Sequence, residues 1–313
     1  MAEVCLRGLG IGERNNMITV QEAFKKFRSR LELNDREQND ASRRQKDIRR
    51  VMKDAFSIDR DFLTGSYARH TKTKPLKDVD IFCVLGDSER HYRKESPSVL
   101  LADVEKELAK EYGAGNVTQQ RRSVCVDFGI RVDEEGGTDD KVMSFDVVPA
   151  FDEVEHYEIP DTATTSGWTK TDPEIHAERA VQAQQAYNRE WKGLVRMMKS
   201  WNREMGKPIK PSFLIEVMAL EVLFPPFGGT YSREIQAFFH TLADRISETW
   251  PDPAGLGPDV SDRMTPQMCA EARRVLLDSE QRAALAIRQE REGRNGEALK
   301  TWRALFGKQF PLS

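Results

Sequence analysis

The segment from Leu63 to Leu85 constrains the fold of this 313-residue chain more than any other part of the sequence. It reads Leu-Thr-Gly-Ser-Tyr-Ala-Arg-His-Thr over residues 63–71 and Asp-Val-Asp-Ile-Phe-Cys-Val-Leu over residues 78–85. Strand side chains alternate between faces, so Asp78 and Asp80 project to one side, about 6.6 Å apart along the backbone. Two carboxylates on one face suit Mg²⁺, and the N–H groups of the Gly65-Ser66 turn suit a phosphate. The segment therefore predicts a metal-dependent nucleotidyl-transfer site.

A third acid arrives later, within the apolar run Phe145-Asp146-Val147-Val148-Pro149-Ala150. A lone buried carboxylate is costly unless it is paired or binds a metal. We therefore expect Asp146 to share a metal with Asp78 and Asp80. The competing candidate is Asp127, which alternates with the apolar residues around it and falls on the opposite, less buried face.

Charge, cysteine spacing and hydropathy argue against several classes of protein. The net charge is −3 and 32% of the residues are charged, which argues against a constitutive nucleic-acid binder and predicts no stable DNA binding. The four cysteines are widely scattered, with no C-x-x-C pair, as is typical of a reducing compartment. No apolar run is long enough for a membrane span, and residues 1–16 lack the layout of a signal peptide. We expect a cytoplasmic protein without membrane contact.

The order of predicted elements indicates an α/β fold in two lobes. Two helices are predicted over residues 20–33 and 34–56, then strands over 61–64, 79–85, 123–132 and 142–150, with a helix from Ser96-Pro97 to about residue 113. Residues 151–172 are predicted to form a long, irregular lid loop, and residues 173–205 one helix, followed by further helices. We predict a nucleotidyltransferase lobe with a mixed sheet and N-terminal helices over 1–150, and an α-helical lobe over 151–313. The active site is expected in the cleft between them.

The residues singled out so far match a known family. Gly65-Ser66, Asp78-x-Asp80 and a single later Asp146 resemble the signature of polymerase-β-type nucleotidyltransferases. The fuller spellings, G-S-Y-A-R-x-T, D-V-D-I-F and F-D-V-V-P, resemble the bacterial cyclic-oligonucleotide synthases of anti-phage CBASS operons, the CD-NTases. These are relatives of animal cyclic GMP–AMP synthase. Residues 302–311 are similar to the closing segment of several such synthases, so the resemblance covers roughly residues 20–312.

The resemblance implies a function and further site residues. It implies synthesis of a cyclic di- or trinucleotide second messenger from nucleoside triphosphates, ATP among them, with two Mg²⁺ or Mn²⁺ ions per site. It places the donor triphosphate against Gly65 and Ser66 on one side, and against Lys199 and Ser212 on the other. An accessory protein, HORMA-type or ubiquitin-transfer-like, is a further expected partner. The spacing alone predicts a solvated helix face for Lys199 and its neighbours Lys192, Arg196 and Arg203.

Other interpretations stay open at this point. One is a template-independent polymerase acting on RNA 3′ ends, like a CCA-adding enzyme, and another is a catalytically silent nucleotide-binding or toxin–antitoxin partner. In the favoured interpretation Arg69, His70 and Thr71 lie near the phosphates, although metal-activated transfer needs no histidine base. Tyr67 and Trp168 could stack on a base or pack within the fold, and His176 has no assigned role.

Overall fold

The computed structural model describes residues 18–133, 138 and 140–313. The first 17 residues, including Cys5, and most of the predicted turn around residues 134–139 lie outside the described part. Within that part, no helix is long and apolar enough to cross a membrane.

A mixed sheet forms the first half of the structure, as predicted. Its strands are β1 (Ile58–Thr64), β2 (Asp78–Leu85), β3 (Val117–Gln119), β4 (Val124–Asp127) and β5 (Ser144–Asp152). They lie in the order β1-β2-β5-β4-β3, with β2 and β5 parallel and the other neighbours antiparallel. The strand predicted over residues 123–132 is shorter, because it ends at Asp127. The parallel pair brings the two acid-bearing strands side by side.

Helices α2 (Asp35–Ala55), α3 (Gly65–Ala68) and α4 (Pro97–Tyr112) accompany the sheet, whereas α1 (Val20–Leu31) packs with the helices of the second half. Asn34 caps α2, and its capping box with Glu37 is complete, so this predicted helix start is confirmed. Helices α2 and α4 share a core with one face of β2, to which Val79, Ile81 and Cys83 contribute buried side chains. The opposite face of β2 is left for Asp78 and Asp80.

The predicted lid loop over residues 151–172 is wrong. These residues extend β5 and then form a hairpin of β6 (Tyr157–Pro160) and β7 (Trp168–Thr171). Trp168 packs edge-on against Phe151, beneath the guanidinium of Arg93. Each hairpin strand has only four residues, which is too short to show an alternating pattern, and the turn residues dominate the sequence.

The single helix predicted over residues 173–205 is also wrong, because the structure has α5 (Pro173–Ala186) and α6 (Trp191–Glu204) instead. Asn188 and Arg189 between them adopt positive φ angles of 52° and 64°. No glycine or proline occupies the break, so the helical pattern appears continuous in the sequence. The break gives α6 its own direction, with its cations facing the β1–β2 connection.

The second half of the structure is helical, with α7 (Ser212–Val222), α8 (Tyr231–Arg245), α9 (Pro266–Arg291) and α10 (Asn295–Phe306) joining α5 and α6. Its core also contains Phe24 and Phe27 from α1, which lie against Phe306 and Phe310. This helical core therefore includes residues from before and after position 150.

Replacing Phe24 by alanine tests that packing. Phe24 is fully buried and its ring lies 5.0 Å from that of Trp302, so Phe24→Ala should lower the free energy of unfolding by about 3–5 kcal/mol. Phe224 is 74% exposed, and Phe224→Ala should change that free energy by less than about 0.5 kcal/mol. Urea unfolding followed by circular dichroism measures both. Equal effects would contradict the packing of α1 in the helical core.

Candidate active site

Asp78, Asp80 and Asp146 lie on two adjacent strands. In the parallel pairing of β2 with β5, Asp80 is the register partner of Asp146, and Asp78 is that of Ser144. Neighbouring strands lie about 4.8 Å apart, so register partners present their side chains on the same face. Val79 and Ile81 point to the other face and are fully buried, as the alternation predicted. The sheet thus brings the three carboxylates together.

Their charges act on one another. Burial, followed by the charges of Asp80 and Asp78, raises the pKa of Asp146 to about 6. Burial and then Asp78 likewise raise the pKa of Asp80. One oxygen of Asp146, Oδ1, is buried and has no hydrogen-bond partner. Mutually repelling carboxylates with an unsatisfied buried oxygen form a donor set suited to divalent cations.

The three carboxylates do not converge on a single point as the structure places them. In the described part of the chain, no three His, Cys, Asp or Glu side chains converge as they stand to hold an ion. Asp78 points instead to Lys72, whose Nζ lies 2.7 Å from Asp78 Oδ2. A cation shared by all three carboxylates therefore requires Asp78 to turn away from Lys72.

The alternative third acid, Asp127, has a different environment. Its Oδ1 accepts hydrogen bonds from the backbone N–H of Gly129 at 2.8 Å and from Arg131 at 3.1 Å. These bonds lower the pKa of Asp127, in contrast to that of Asp146. The geometry favours Asp146 as the third member of the cluster.

The absence of a side chain at Gly65 leaves room for the Asp80 carboxylate. The backbone at Gly65 has a φ of +65°, and a Cβ built there would lie 1.8 Å from Asp80 Oδ2. Any side chain at position 65 would therefore collide with the Asp80 carboxylate, in addition to the strain of a left-handed backbone. The glycine allows close approach of the turn to the carboxylate.

Gly65→Ala should displace the Asp80 carboxylate and reduce nucleotide incorporation by about 100-fold or more, because metal-assisted charge stabilisation provides several kcal/mol. Gly206→Ala is the matched control. Gly206 also has a positive φ, of 80°, but a Cβ there would meet nothing within 4 Å. Both variants carry the backbone strain, and thermal unfolding measures the stability that each of them loses. Equal activity of the two would contradict the steric role of Gly65.

Three of the four predicted triphosphate residues line one cavity, whereas Gly65 borders the neighbouring cavity with Asp80. Ser66, Lys199 and Ser212 border a space of about 670 Å³ together with Asp78. Ser212 is the first residue of α7, after an N-cap at Pro211. The first N–H groups of a helix have no partners within it and favour an anion. The structure thus brings residues 66, 199 and 212 around the cavity that Asp78 also borders.

The sequence reasoning missed Glu216. This residue of α7 is 2% exposed; its carboxylate lies 2.6 Å from Lys199 Nζ and accepts two bonds from Arg69, at 2.9 and 3.0 Å. Burial opposes ionisation, but the charges of Lys199 and Arg69 hold the pKa of Glu216 well below its usual range. Glu216 is the one charge inside the apolar run Phe-Leu-Ile-Glu-Val-Met-Ala. A single charged residue within an apolar run is the pattern that pointed to Asp146, and the same pattern could have identified Glu216.

The solvated face predicted for α6 is wrong. Arg196 and Lys199 are buried, and the cations of this face hold the chain between β1 and β2. Arg196 donates to the carbonyl of His70 at 2.6 Å, and Arg203 donates to the carbonyl of Lys74 at 3.0 Å. A basic stripe on a helix resembles a solvated face until a second segment packs over it.

Three further residues received no firm prediction, and their positions are now defined. Arg69 is held by Glu216 and stacks over Phe213, while Tyr67 packs against the α/β core. His176 Nε2 lies 2.6 Å from Asp252 Oδ1, and its ring borders the cleft. These contacts give Tyr67 and Arg69 structural roles at the turn that carries Ser66.

Comparisons with known proteins identify the relatives of this chain. Residues 17–183 match the family model of the second messenger oligonucleotide or dinucleotide synthetase (SMODS) domain. A probable cyclic nucleotide synthase of Bacillus cereus is 30% identical over 275 residues, which cover 79% of this chain and 81% of that protein. A cyclic AMP-AMP-AMP synthase of an Acinetobacter strain is 28% identical, over 95% of this chain and 87% of that protein.

Solved structures show the same fold at lower identity. Vibrio cholerae DncV in its 3′-deoxy GTP bound form superposes with a TM-score of 0.72 at 14% identity, covering 92% of this chain and 96% of that chain. Escherichia coli CdnC, in a complex with a HORMA protein, gives 0.67 at 19% identity and covers 93% and 98%. The α/β fold with its helical half is therefore shared with these enzymes.

Fold and site define the class of protein as a nucleotidyltransferase, a class that uses divalent metal ions. The chain belongs to the SMODS family of cyclic-oligonucleotide synthases, the CD-NTases. Its activity is cyclic oligonucleotide synthesis in CBASS signalling.

Proposed function

We propose that this enzyme joins nucleoside triphosphates, ATP among them, into a cyclic di- or trinucleotide with release of pyrophosphate, and that Asp78, Asp80 and Asp146 form its catalytic centre. The observation that carries the assignment is the register of Asp80 with Asp146, which leaves one Asp146 oxygen buried without a partner. An ionised carboxylate buried there without a partner is costly, and a bound cation relieves that cost.

The three carboxylates would hold two Mg²⁺ ions; Mn²⁺ can substitute. Bound there, the ions would lower the pKa of the attacking ribose hydroxyl and neutralise the departing pyrophosphate. Gly65 keeps Asp80 in place, because the turn can pass close to its carboxylate only without a side chain. Ser66 and Ser212 orient the triphosphate through a hydroxyl and a helix N-terminus.

Lys199 has a narrower role than the resemblance implies by itself. With Arg69 and Glu216 it forms a buried group of two cations and one carboxylate, so its charge is partly neutralised before any substrate arrives. The surplus of one positive charge faces the triphosphate cavity through Lys199, which is 9% exposed. We propose that this group positions the phosphates and fixes the turn that carries Ser66.

The relatives support the choice of substrate and partner. The name of the Acinetobacter protein, a cyclic AMP-AMP-AMP synthase, supports ATP as a substrate here and a trinucleotide among the products. The E. coli CdnC complex supports a HORMA-type accessory protein as activator. A ubiquitin-transfer-like accessory is the alternative partner, and we propose no stable DNA partner, in line with the net charge of −3.

The test is incubation of the purified enzyme with all four nucleoside triphosphates and Mg²⁺, with and without a HORMA-type accessory protein. Mass spectrometry of the phosphatase-resistant products should show a cyclic species that contains adenosine. Extension of added RNA without any cyclic species would contradict the proposal and favour an RNA-end nucleotidyltransferase.

A further inference from the structure

A second cavity, of about 370 Å³, opens beside the turn that follows β1. Its walls come from α1, from this turn, and from α5 and α6. Four cationic side chains, one carboxylate and one histidine border it: Arg28, Lys72, Lys192, Arg196, Glu32 and His70. This cavity is not lined by any of the three clustered aspartates. It is also not lined by Ser66, Lys199 or Ser212. The cavity is therefore distinct from the proposed catalytic cleft.

The cations of this cavity outnumber the acids that could balance them. Arg28 pairs with Glu190 at 2.7 Å, and Arg196 pairs with Glu32, the carboxylate that lines the cavity. The ammonium of Lys192 forms no ion pair with any residue that the structure describes; only its backbone N–H is bonded, to Gln184 at 2.8 Å. One cation thus faces the cavity without an ion-pair partner among the described residues.

The side chains around the cavity are affected by this excess of positive charge. Burial, and then the charge of Arg196, lowers the pKa of Lys192. Burial, Lys192 and Arg196 lower the pKa of His70 in the same way. Arg196 is 7% exposed, and its Nε is buried without a hydrogen-bond partner. Cations collected in a partly desolvated space repel one another, and a bound anion would offset that repulsion.

We propose that this cavity is a binding site for a small molecule that carries two or more anionic oxygens, with Lys192 and Lys72 as its principal contacts. The volume lies in the range of small-molecule sites, roughly 300–1,000 Å³. Leu33 and Tyr67 supply an apolar wall for the remainder of the ligand. Phosphate and carboxylate groups share the required chemistry, since both accept charge-assisted hydrogen bonds from lysine.

Lys72 connects this site to the catalytic cleft. It lines both cavities, and its Nζ is the partner of Asp78 at 2.7 Å. Its backbone N–H also donates to the carbonyl of Ser66 at 3.0 Å. An anion that recruits Lys72 would release Asp78 to turn toward Asp80 and Asp146. This link rests on the proposed function, whereas binding of the anion does not.

The experiment is isothermal titration of the full chain in metal-free buffer with citrate and, separately, with inorganic pyrophosphate. Lys192→Glu places an acid among the cations, and Lys300→Glu makes the same change of charge on an exposed residue of α10. We expect saturable citrate binding to the wild type and to Lys300→Glu, weakened at least about 10-fold in Lys192→Glu. Pyrophosphate should occupy two sites in the wild type, of which Lys192→Glu keeps only the one in the triphosphate cavity.

Lys192→Gln removes the charge with little change in shape and should show the same loss of anion binding. It serves as a control in case the Lys192→Glu variant misfolds. A loss confined to citrate assigns carboxylates to the site, and a loss confined to pyrophosphate assigns phosphates. Equal binding of each probe to Lys192→Glu, Lys192→Gln and Lys300→Glu, or no saturable binding to the wild type, would overturn the proposal. Neither result bears on nucleotide incorporation, so the two proposals fail separately.

Discussion

Replacing Asp146 by asparagine should reduce nucleotide incorporation by about 100-fold or more, since the loss of one charged ligand removes several kcal/mol of metal-assisted stabilisation. The matched control is Asp127→Asn, which changes an exposed carboxylate that binds Arg131. It should retain nearly full activity. Incorporation of radiolabelled ATP measures both variants, and a loss in Asp127→Asn with activity kept in Asp146→Asn would reverse the assignment of the third ligand.

The same variant should be more stable than the wild type when metal is absent. The folded state raises the pKa of Asp146 from 3.8 to about 6, so it binds this proton more tightly than the unfolded chain does. The free energy of unfolding of the wild type therefore falls as the pH rises from 3.8 to about 6, and the deficit persists above that range. One pKa unit corresponds to about 1.4 kcal/mol, so Asp146→Asn should gain about 1–3 kcal/mol at pH 8 and less at pH 5. Urea unfolding in EDTA at the two pH values measures this; a gain that does not depend on pH would contradict the ionic cause.

Glu216→Ala should strongly lower the free energy of unfolding. The change leaves Arg69 and Lys199 buried without their shared carboxylate, and breaking such a buried group costs about 3–5 kcal/mol. Activity should fall as well, because Arg69 belongs to the turn that carries Ser66. Glu216→Gln keeps a hydrogen-bond acceptor for Arg69 and should lose less stability than alanine.

The control for this prediction lies on the same helix. Glu221 pairs with Arg245 at 3.0 Å, but both side chains are substantially exposed. Glu221→Ala should therefore cost only about 0–1 kcal/mol. The urea concentration at the unfolding midpoint gives the comparison directly. Similar midpoints for Glu216→Ala and Glu221→Ala would show that the buried group contributes little to the fold.

Local patterns were enough to predict which three carboxylates the sheet brings together. The period of two along β2 placed Asp78 and Asp80 on the polar face, and the apolar run around Asp146 marked it as a carboxylate in need of a partner. Both inferences depend on burial and strand geometry, which neighbouring residues determine. The resemblance then implied Lys199 and Ser212, and these do line the same cavity as Ser66.

Local sequence patterns could not predict contacts between segments that are far apart in the chain. Glu216 and Arg69 are 147 positions apart, and nothing local reveals that one neutralises the other. The break at Asn188 and Arg189 contains no glycine or proline, and α6 beyond it contacts the turn after β1 through Arg196. The β6–β7 hairpin is stabilised by Asp161, fully buried against Arg121 and Arg122, which lie about 40 residues earlier.

The most direct test of the central claim is a crystal structure with Mn²⁺ and a non-hydrolysable ATP analogue, with anomalous scattering used to locate the metal. The account predicts anomalous peaks bounded by Asp78, Asp80 and Asp146, with Asp78 turned away from Lys72 and the triphosphate between Ser66 and Ser212. Metal bound away from these carboxylates, or Asp78 still paired with Lys72 beside a bound nucleotide, would contradict it.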